Sequence, residues 1–375
     1  MAKLRVGVIY GGRSGEHEVS LASAAAVFQN LDPERYDGVP IKIEKDGRWT
    51  LPNRPPMIAK AADVIAGRGG ATDAGREAHL VAHPGAETLL SIDRATSSPT
   101  VSGLTLDVVF PVLHGPYGED GTVQGLLELA NLPYVGAGVL ASAVGMDKAV
   151  MKQLFAARGL PICDYVVVAK REWQRDQRAA MHRIVDRLGF PVFVKPANLG
   201  SSVGISKAKH ATELRQAIEL ASKFDRKVVV EAAVPEAREI EVSVLGNDDP
   251  EASCPGEVVP SREFYDYQAK YIDDDSAMLI PAALTAAQTA EVRRLAIEAF
   301  KAVDGSGLAR VDFLLARESG VIYLSELNTL PGFSTIGTYS KLWAATGLEF
   351  PQLLDRLIQL ALERHADKQQ LRTSM

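Results

Sequence analysis

The chain has 375 residues, with 41 Lys+Arg against 47 Asp+Glu for a net charge of -6, and 46% of its residues are hydrophobic. That length and composition suit two or three globular domains and exclude large-scale disorder, while the acidic balance without any long basic run argues against nucleic acid or anionic lipid as a partner. Two cysteines far apart, Cys163 and Cys254, and scattered histidines argue against structural zinc and for a reducing, cytoplasmic setting; the apolar run of MAKLRVGVIYGG is too short for a signal-peptide core, and no stretch approaches a membrane span.

LRVGVIYGG reads as a buried parallel strand, followed after a glycine turn by a helix over residues 19–31. GVPIKIEKDG is the next strand, residues 60–100 read as an irregular Gly/Ala/Thr-rich insertion, and LDVVFPVLHG leads through PYGEDG into the helix VQGLLELANL. These elements make a first α/β domain, residues 1–136. Asp147 is the expected N-cap of a helix DKAVMKQLFAARG that a glycine closes. Strand DYVVVAK, helix RAAMHRIVDRLG, strand FPVFVKPA, a Gly/Ser knot, strand VGISKA, helix ATELRQAIELASKF and strand KVVVEAAV form a second unit, residues 137–231. The third, residues 232–375, holds REIEVSVLG, the aromatic stretch EFYDYQAKY, a long helix from Thr285 to Val303 opened by a Thr285/Gln288 capping box, two strands, and the helix PQLLDRLIQLALERH before a frayed tail, KQQLRTSM.

Four stretches carry chemistry. In VKPANLGSSVG the lysine precedes the glycines and a strand follows them, so it is not a P-loop. Gly200 and Gly204 would let backbone N–H groups converge on an anion, with Ser201 and Ser202 adding hydroxyls; a plain hairpin is the alternative. In LARVDFLLARESGVIYLSELNTLPG, a three-residue loop Glu318-Ser319-Gly320 would set Arg317 opposite Val321, Asp312 opposite Glu326 and Arg310 opposite Asn328, all four polar side chains on one face. Asp facing Glu is repulsive without a cation, and Asp, Glu and Asn offer the hard oxygens that Mg²⁺ prefers; a solvated face neutralised by Arg310 is the alternative. GGRSGEHEVS gives a glycine turn at a helix N-terminus, able to hold a small carboxylate or phosphate, with Glu16 available to a cationic group and His114 at a similar strand end, where a buried structural role is also open. EFYDYQAKY reads as a lid over a charged ligand or as an aromatic surface loop.

Taken in order, GGRSGEHEVS, the HG of LHG, GEDGTVQG, MDK at 146–148, VKPANLGSSVG, FYDYQAKY, RVDF and ELNTLPGF resemble a D-alanine-D-alanine ligase of the ATP-grasp superfamily, over residues 5–360. The resemblance implies an α/β (α+β), three-domain ATP-grasp fold with an N-terminal Rossmann-like preATP-grasp domain, and homodimerisation. It implies ATP and two Mg²⁺ or Mn²⁺ ions, and D-alanine as the small-molecule substrate, activated as an acyl phosphate for peptidoglycan precursor synthesis. By similarity Lys148, Lys195 and Ser202 contact the nucleotide phosphates, Glu231 the adenine side and Glu239 the ribose. Asp312, Glu326 and Asn328 hold the metals; Arg310 and the Gly332 backbone stabilise the oxyanion, with Lys270 on the phosphate. Glu16 fixes the first ammonium and joins Ser201 and Tyr271 in a hydrogen-bonded triad, and His114 and Thr338 contact substrate. Tyr271 favours an amine acceptor over D-lactate. The family usually has a serine where this chain has Gly337 followed by Thr338, so Thr338 or a backbone N–H would have to serve the acceptor carboxylate.

Overall fold

A computed structural model describes residues 2–57, 75–85, 87–94, 99–259, 277–333 and 337–372. Strand β1 (Leu4–Gly11) pairs in parallel with β2 (Tyr36–Ile43), the two joined by the helix His17–Asn30, as alternating strand and helix patterns require. Next come β3 (Trp49–Leu51), β4 (Arg76–Leu80), β5 (Leu89–Asp93) and β6 (Thr100–Leu104), all antiparallel, before β7 (Val108–Pro111) returns in parallel beside β1. The sheet order is β6-β5-β4-β3-β2-β1-β7.

The expectation of an irregular insertion at 60–100 is thus corrected: its described part contributes two full strands and the start of a third. Ala78 and Leu89 are buried against Ile41 and Leu106, which rewards strand pairing there, but the intervening Thr, Ser and His residues hide the alternation.

Helices Thr122–Leu129 and Val139–Met146 lead to the helix Lys148–Ala157, whose N-cap is Asp147, accepting from the Ala149 and Val150 N–H groups. The second sheet contains β8 (Tyr165–Ala169), β9 (Val192–Pro196), β10 (Ser206–Ala208) and β11 (Lys227–Ala232), antiparallel in the order β10-β9-β11-β8. Helices Gln177–Leu188 and Ala211–Ala221 cover one face with Ile184, Leu214 and Ile218, and the other face is left for the site.

The third sheet is built from β12 (Ala237–Gly246), β13 (Glu251–Ala252), β14 (Gly256–Val259), β15 (Ala277–Leu279), β16 (Gly307–Ala316) and β17 (Ile322–Asn328), in the order β15-β14-β12-β16-β17 with β13 beside β12. The helix Ala286–Ala302 covers it, opened by the expected capping box between Thr285 and Gln288. Met151 and Phe155, from the helix Lys148–Ala157, enter the same core beside Val242, Val311 and Phe313.

Helix Thr338–Thr346 precedes the last helix, Phe350–Gln369, which packs Leu353, Leu354, Leu357 and Ile358 against Val6, Val8 and Phe110 of the first sheet. It runs further than expected. Lys368 and Gln369, placed in the frayed tail by the sequence, are helical because they pair with Glu128 and Asn131. Among the described residues no helix is long and apolar enough to cross a membrane.

Candidate active site

The Gly/Ser knot lies between β9 and β10 and turns sharply: Ser201 and Ser202 have φ of 50° and 59°, and Gly204 of 72°. Positive φ is costly for serine, so the loop is held from outside. Asp225 accepts from the backbone N–H and side-chain amide of Asn198, both at 2.8 Å, and the Leu199 carbonyl accepts from Lys148 Nζ at 2.8 Å. Ser201 Oγ donates to Glu16 Oε1, which ties this loop to the N-terminus of the helix His17–Asn30. Two members of the expected triad therefore meet. The third, Tyr271, and Lys270 beside it lie outside the described residues.

On the third sheet the expected register is present. Asp312 faces Glu326, and Arg310 faces Asn328. The route to it differs from the expectation, because Ala316, not Arg317, faces Val321 and the loop holds four residues, Arg317 to Gly320. An extra residue at Ser325 then shifts the pairing by one, so that the longer loop and the bulge compensate. On the neighbouring strand Glu241 lies opposite Asp312 and Ser243 opposite Arg310, so the polar face spans three strands, while Val311, Phe313, Leu324 and Leu327 point into the core.

Arg310 donates from Nε and Nη2 to the two oxygens of Asp312, each at 2.7 Å, with Glu241 Oε2 3.4 Å from Nε. Burial opposes this charge, but Asp312 and Glu241 outweigh it and keep the guanidinium protonated well above its ordinary range. Lys148 Nζ lies 3.4 Å from Glu326. Asn328 Oδ1 accepts from the Leu330 N–H at 2.9 Å. Among the described residues no three His, Cys, Asp or Glu side chains converge as a ready-made metal site. Two carboxylates and an amide oxygen on one face nevertheless fit hard divalent ions whose other ligands are phosphate oxygens or water, the usual pattern for Mg²⁺ with nucleotides.

A cleft of about 520 Å³ runs between the second and third sheets, with Phe193, Ile205, Ala232 to Pro235, Ile240 and Leu314 on its walls and Lys195, Ser202, Glu231, Glu239 and Asp312 as polar groups. A smaller cavity of about 140 Å³ continues toward the first sheet, lined by His114, Lys148, Ser201, Arg310, Asn328, Gly332 and Thr338 among others. Glu241 and Glu326 line both, so the two spaces meet at the Asp312–Glu326 face. Gly332 and Thr338 thus stand at the same cavity as Arg310. His114 lines it too, with both ring nitrogens engaged: Nε2 with Ser23 Oγ at 3.1 Å and Nδ1 with the Leu330 carbonyl at 3.2 Å. Burial lowers its pKa, which fits a neutral imidazole shaping the wall.

The Glu231 carboxylate is nine-tenths or more buried, with Lys195 Nζ 2.7 Å and Lys152 Nζ 2.9 Å away. Burial alone would raise the Glu231 carboxyl; the two ammonium groups more than reverse this and hold it down at about 2. Lys152, 1% exposed, also donates to the Ser325 carbonyl at 3.2 Å. Sequence reading missed it, together with Glu119 and Glu241. The signals were present: Lys152 follows Lys148 by one helical turn and shares a face with Phe155, and Glu241 alternates with buried Ile240 and Val242 on the face that carries Glu239.

This arrangement joins an apolar slot with lysines at one end to an acid-lined junction and a small cavity holding a half-buried guanidinium. Two family models match the chain: "D-ala D-ala ligase N-terminus" over residues 5–137 and "D-ala D-ala ligase C-terminus" over residues 154–359. The D-alanine–D-alanine ligases of Heliobacterium modesticaldum and Geobacillus thermodenitrificans are 50% and 49% identical to it, each alignment spanning 98% of this chain and 97% and 98% of theirs. Among solved structures, the D-alanine-D-alanine ligase of Coxiella burnetii superposes with a TM-score of 0.84 at 37% identity, covering 99% of this chain and 97% of that one. The VanG D-Ala:D-Ser ligase of Enterococcus faecalis gives 0.78 at 33% identity, covering 96% and 100%. With both halves of the family model matched and full-length relatives at half identity, the chain belongs to the D-alanine–D-alanine ligase family and has its ATP-grasp fold.

Proposed function

We propose that the chain is an ATP-dependent ligase that joins two D-alanines into D-alanyl-D-alanine, with ATP in the cleft between the second and third sheets and D-alanine in the smaller cavity. The observation that carries the placement is the junction at Glu241 and Glu326, where a nucleotide-sized cleft opens onto a small polar cavity. A γ-phosphate lying along the cleft would then meet a carboxylate held in the cavity.

In this reading Lys195, Lys148 and the Ser202 region hold the phosphates, while Glu231 fixes Lys195 and stands at the adenine side and Glu239 at the ribose. Asp312, Glu326 and Asn328 would hold two Mg²⁺ or Mn²⁺ ions, which neutralise phosphate charge when bound. One carboxylate oxygen of the first D-alanine attacks the γ-phosphorus and ADP leaves. The amine of the second D-alanine then attacks the acyl carbonyl, and phosphate departs with that oxygen. Arg310 and the Gly332 N–H, at the same cavity, would receive the charge that collects on the carbonyl oxygen in the tetrahedral intermediate. Glu16 and Ser201 orient the first amino acid, and Thr338, first residue of its helix, serves the acceptor carboxylate.

The reading is tested by phosphate release from ATP and Mg²⁺ with D-alanine, L-alanine, or D-alanine plus D-serine or D-lactate. Release with D-alanine, accompanied by dipeptide, and little with L-alanine is expected. Equal release with both enantiomers, or none with D-alanine, overturns it.

A further inference from the structure

Glu119 is a buried acid that the roles above leave unused. It belongs to the turn Gly118-Glu119-Asp120-Gly121, is 8% exposed, and lines the small cavity beside Lys148, Ser201 and Arg310. Its Oε1 accepts the Gly115 N–H at 2.5 Å. Gly115 has a φ of +73°, and a side chain there would place its Cβ 2.7 Å from Glu16 Oε2. Two carboxylates from separate segments therefore flank one glycine that has no room for a substituent, and Gly200 and Ser201, which adjoin Glu16, line the same cavity as Glu119.

The charge in this corner is unbalanced. Burial and the neighbouring Glu16 push the Glu119 carboxyl up to about 8, against the opposing pull of the Gly115 N–H, Lys148 and Arg310. His114, next to Gly115, brings no compensating charge, since burial lowers its pKa. Across the cavity Glu241 and Glu326 already face Arg310 and Lys148, each at 3.4 Å, which among the described residues leaves the Glu16–Glu119 pair as the acids without a close cation. A cation entering the corner relieves this repulsion, and an ammonium group suits it, because three N–H donors can reach two carboxylates and a hydroxyl at once.

We propose that Glu119 is the second carboxylate for the ammonium group of the first D-alanine, shared with Glu16, so that the corner selects an α-amino acid over a hydroxy acid as the donor. This rests on the assignment of the first D-alanine to the Glu16 corner. Burial and Glu16 make the Glu119 carboxyl hard to ionise, and an ammonium in the corner offsets both, so that Glu119 pairs with it as a carboxylate. First-substrate binding therefore strengthens as pH rises through the range in which the raised Glu119 carboxyl ionises.

The test uses Glu119→Gln, whose amide oxygen can still accept from the Gly115 N–H. ADP release against D-alanine concentration separates the two D-alanine sites, and the series is repeated between about pH 6 and 9, the range that brackets a raised carboxyl. We expect the first-site KM to rise at least about tenfold, the loss typical of a charge-assisted contact, with the ATP KM unchanged and the pH dependence of the first-site KM flattened. Glu119→Asp should keep that pH dependence. An unchanged first-site KM overturns the proposal, including the case where kcat alone falls, which would make Glu119 a base for the acceptor amine. A parallel rise in the ATP and both D-alanine KM values also overturns it, marking a structural residue. Absence of turnover in the unmodified enzyme would instead refute the ligase reading, and a Glu16→Gln variant with normal first-site KM would refute the corner itself.

Discussion

Glu231 keeps its negative charge in a place where burial works against it, because Lys152 and Lys195 both lie within 2.9 Å of its oxygens. Removing one partner of a buried ion pair leaves the other uncompensated, which costs more than the pair contributes when intact. Lys152→Met should therefore destabilise the protein by about 3 kcal/mol, measured by urea unfolding, and should raise the ATP KM because Glu231 then draws on Lys195 alone. A loss below about 1 kcal/mol, the range of an exposed pair, would contradict this. The pH sign follows from the depressed carboxyl. Its contribution is complete above the unfolded value of 4.5 and is lost as pH falls toward about 2, and the variant should show less of that acid-side loss. The spacing of Lys152 from Lys148 and Phe155 was visible but not decisive: a lysine on an apolar helical face is commonly a snorkelling surface residue, and only the tertiary partner on β11 shows otherwise.

Asp147 works at the scale of an element. It caps the helix Lys148–Ala157 and also pairs with Lys227 on β11, so the first helical residue, Lys148, is placed by a cap and an ion pair together. Asp147→Ala should cost about 1–2 kcal/mol of stability, the range for N-cap loss, and raise the ATP KM by loosening Lys148. Unfolding curves and ATP titration of the rate check this; an unaltered KM would show that Lys148 is held by Leu199 and Glu326 alone. This cap was readable because DKAVMKQLF announces both its start and its apolar face. The β16–β17 hairpin was readable in a narrower sense. The pairs Asp312–Glu326 and Arg310–Asn328 came from a three-residue loop that the chain does not have, and a bulge at Ser325 restored them. A bulge has no reliable local signal in a short polar strand, so correct pairing there depended on two deviations that offset each other.

At the scale of the whole molecule, the last helix is the piece that local reading could not place. Its apolar residues were plain in PQLLDRLIQLALERH, but their destination on β1 and β7 is a long-range choice that periodicity does not encode. Arg364 strengthens that docking through hydrogen bonds to the carbonyl of Gly136, the hydroxyl of Ser306 at 2.6 Å and the carbonyl of Tyr134 at 3.0 Å. The segment that follows the first sheet and the one that precedes β16 are therefore tied together, and the cavity wall contains His114, just beyond β7, and Arg310 of β16. Elements with strong periodicity were legible. The weakly patterned strands at 76–104 and the buried charges needed their tertiary partners to be recognised.

In the proposed reaction the carboxylate of a D-alanine held beside Arg310 takes the γ-phosphate and later surrenders that oxygen. Incubation with ATP, Mg²⁺ and D-alanine labelled with oxygen-18 in its carboxyl group, followed by mass spectrometry of the phosphate and dipeptide, tests it directly. One labelled oxygen is expected in each phosphate released, matched one for one by D-alanyl-D-alanine; unlabelled phosphate alongside dipeptide would rule out the acyl phosphate.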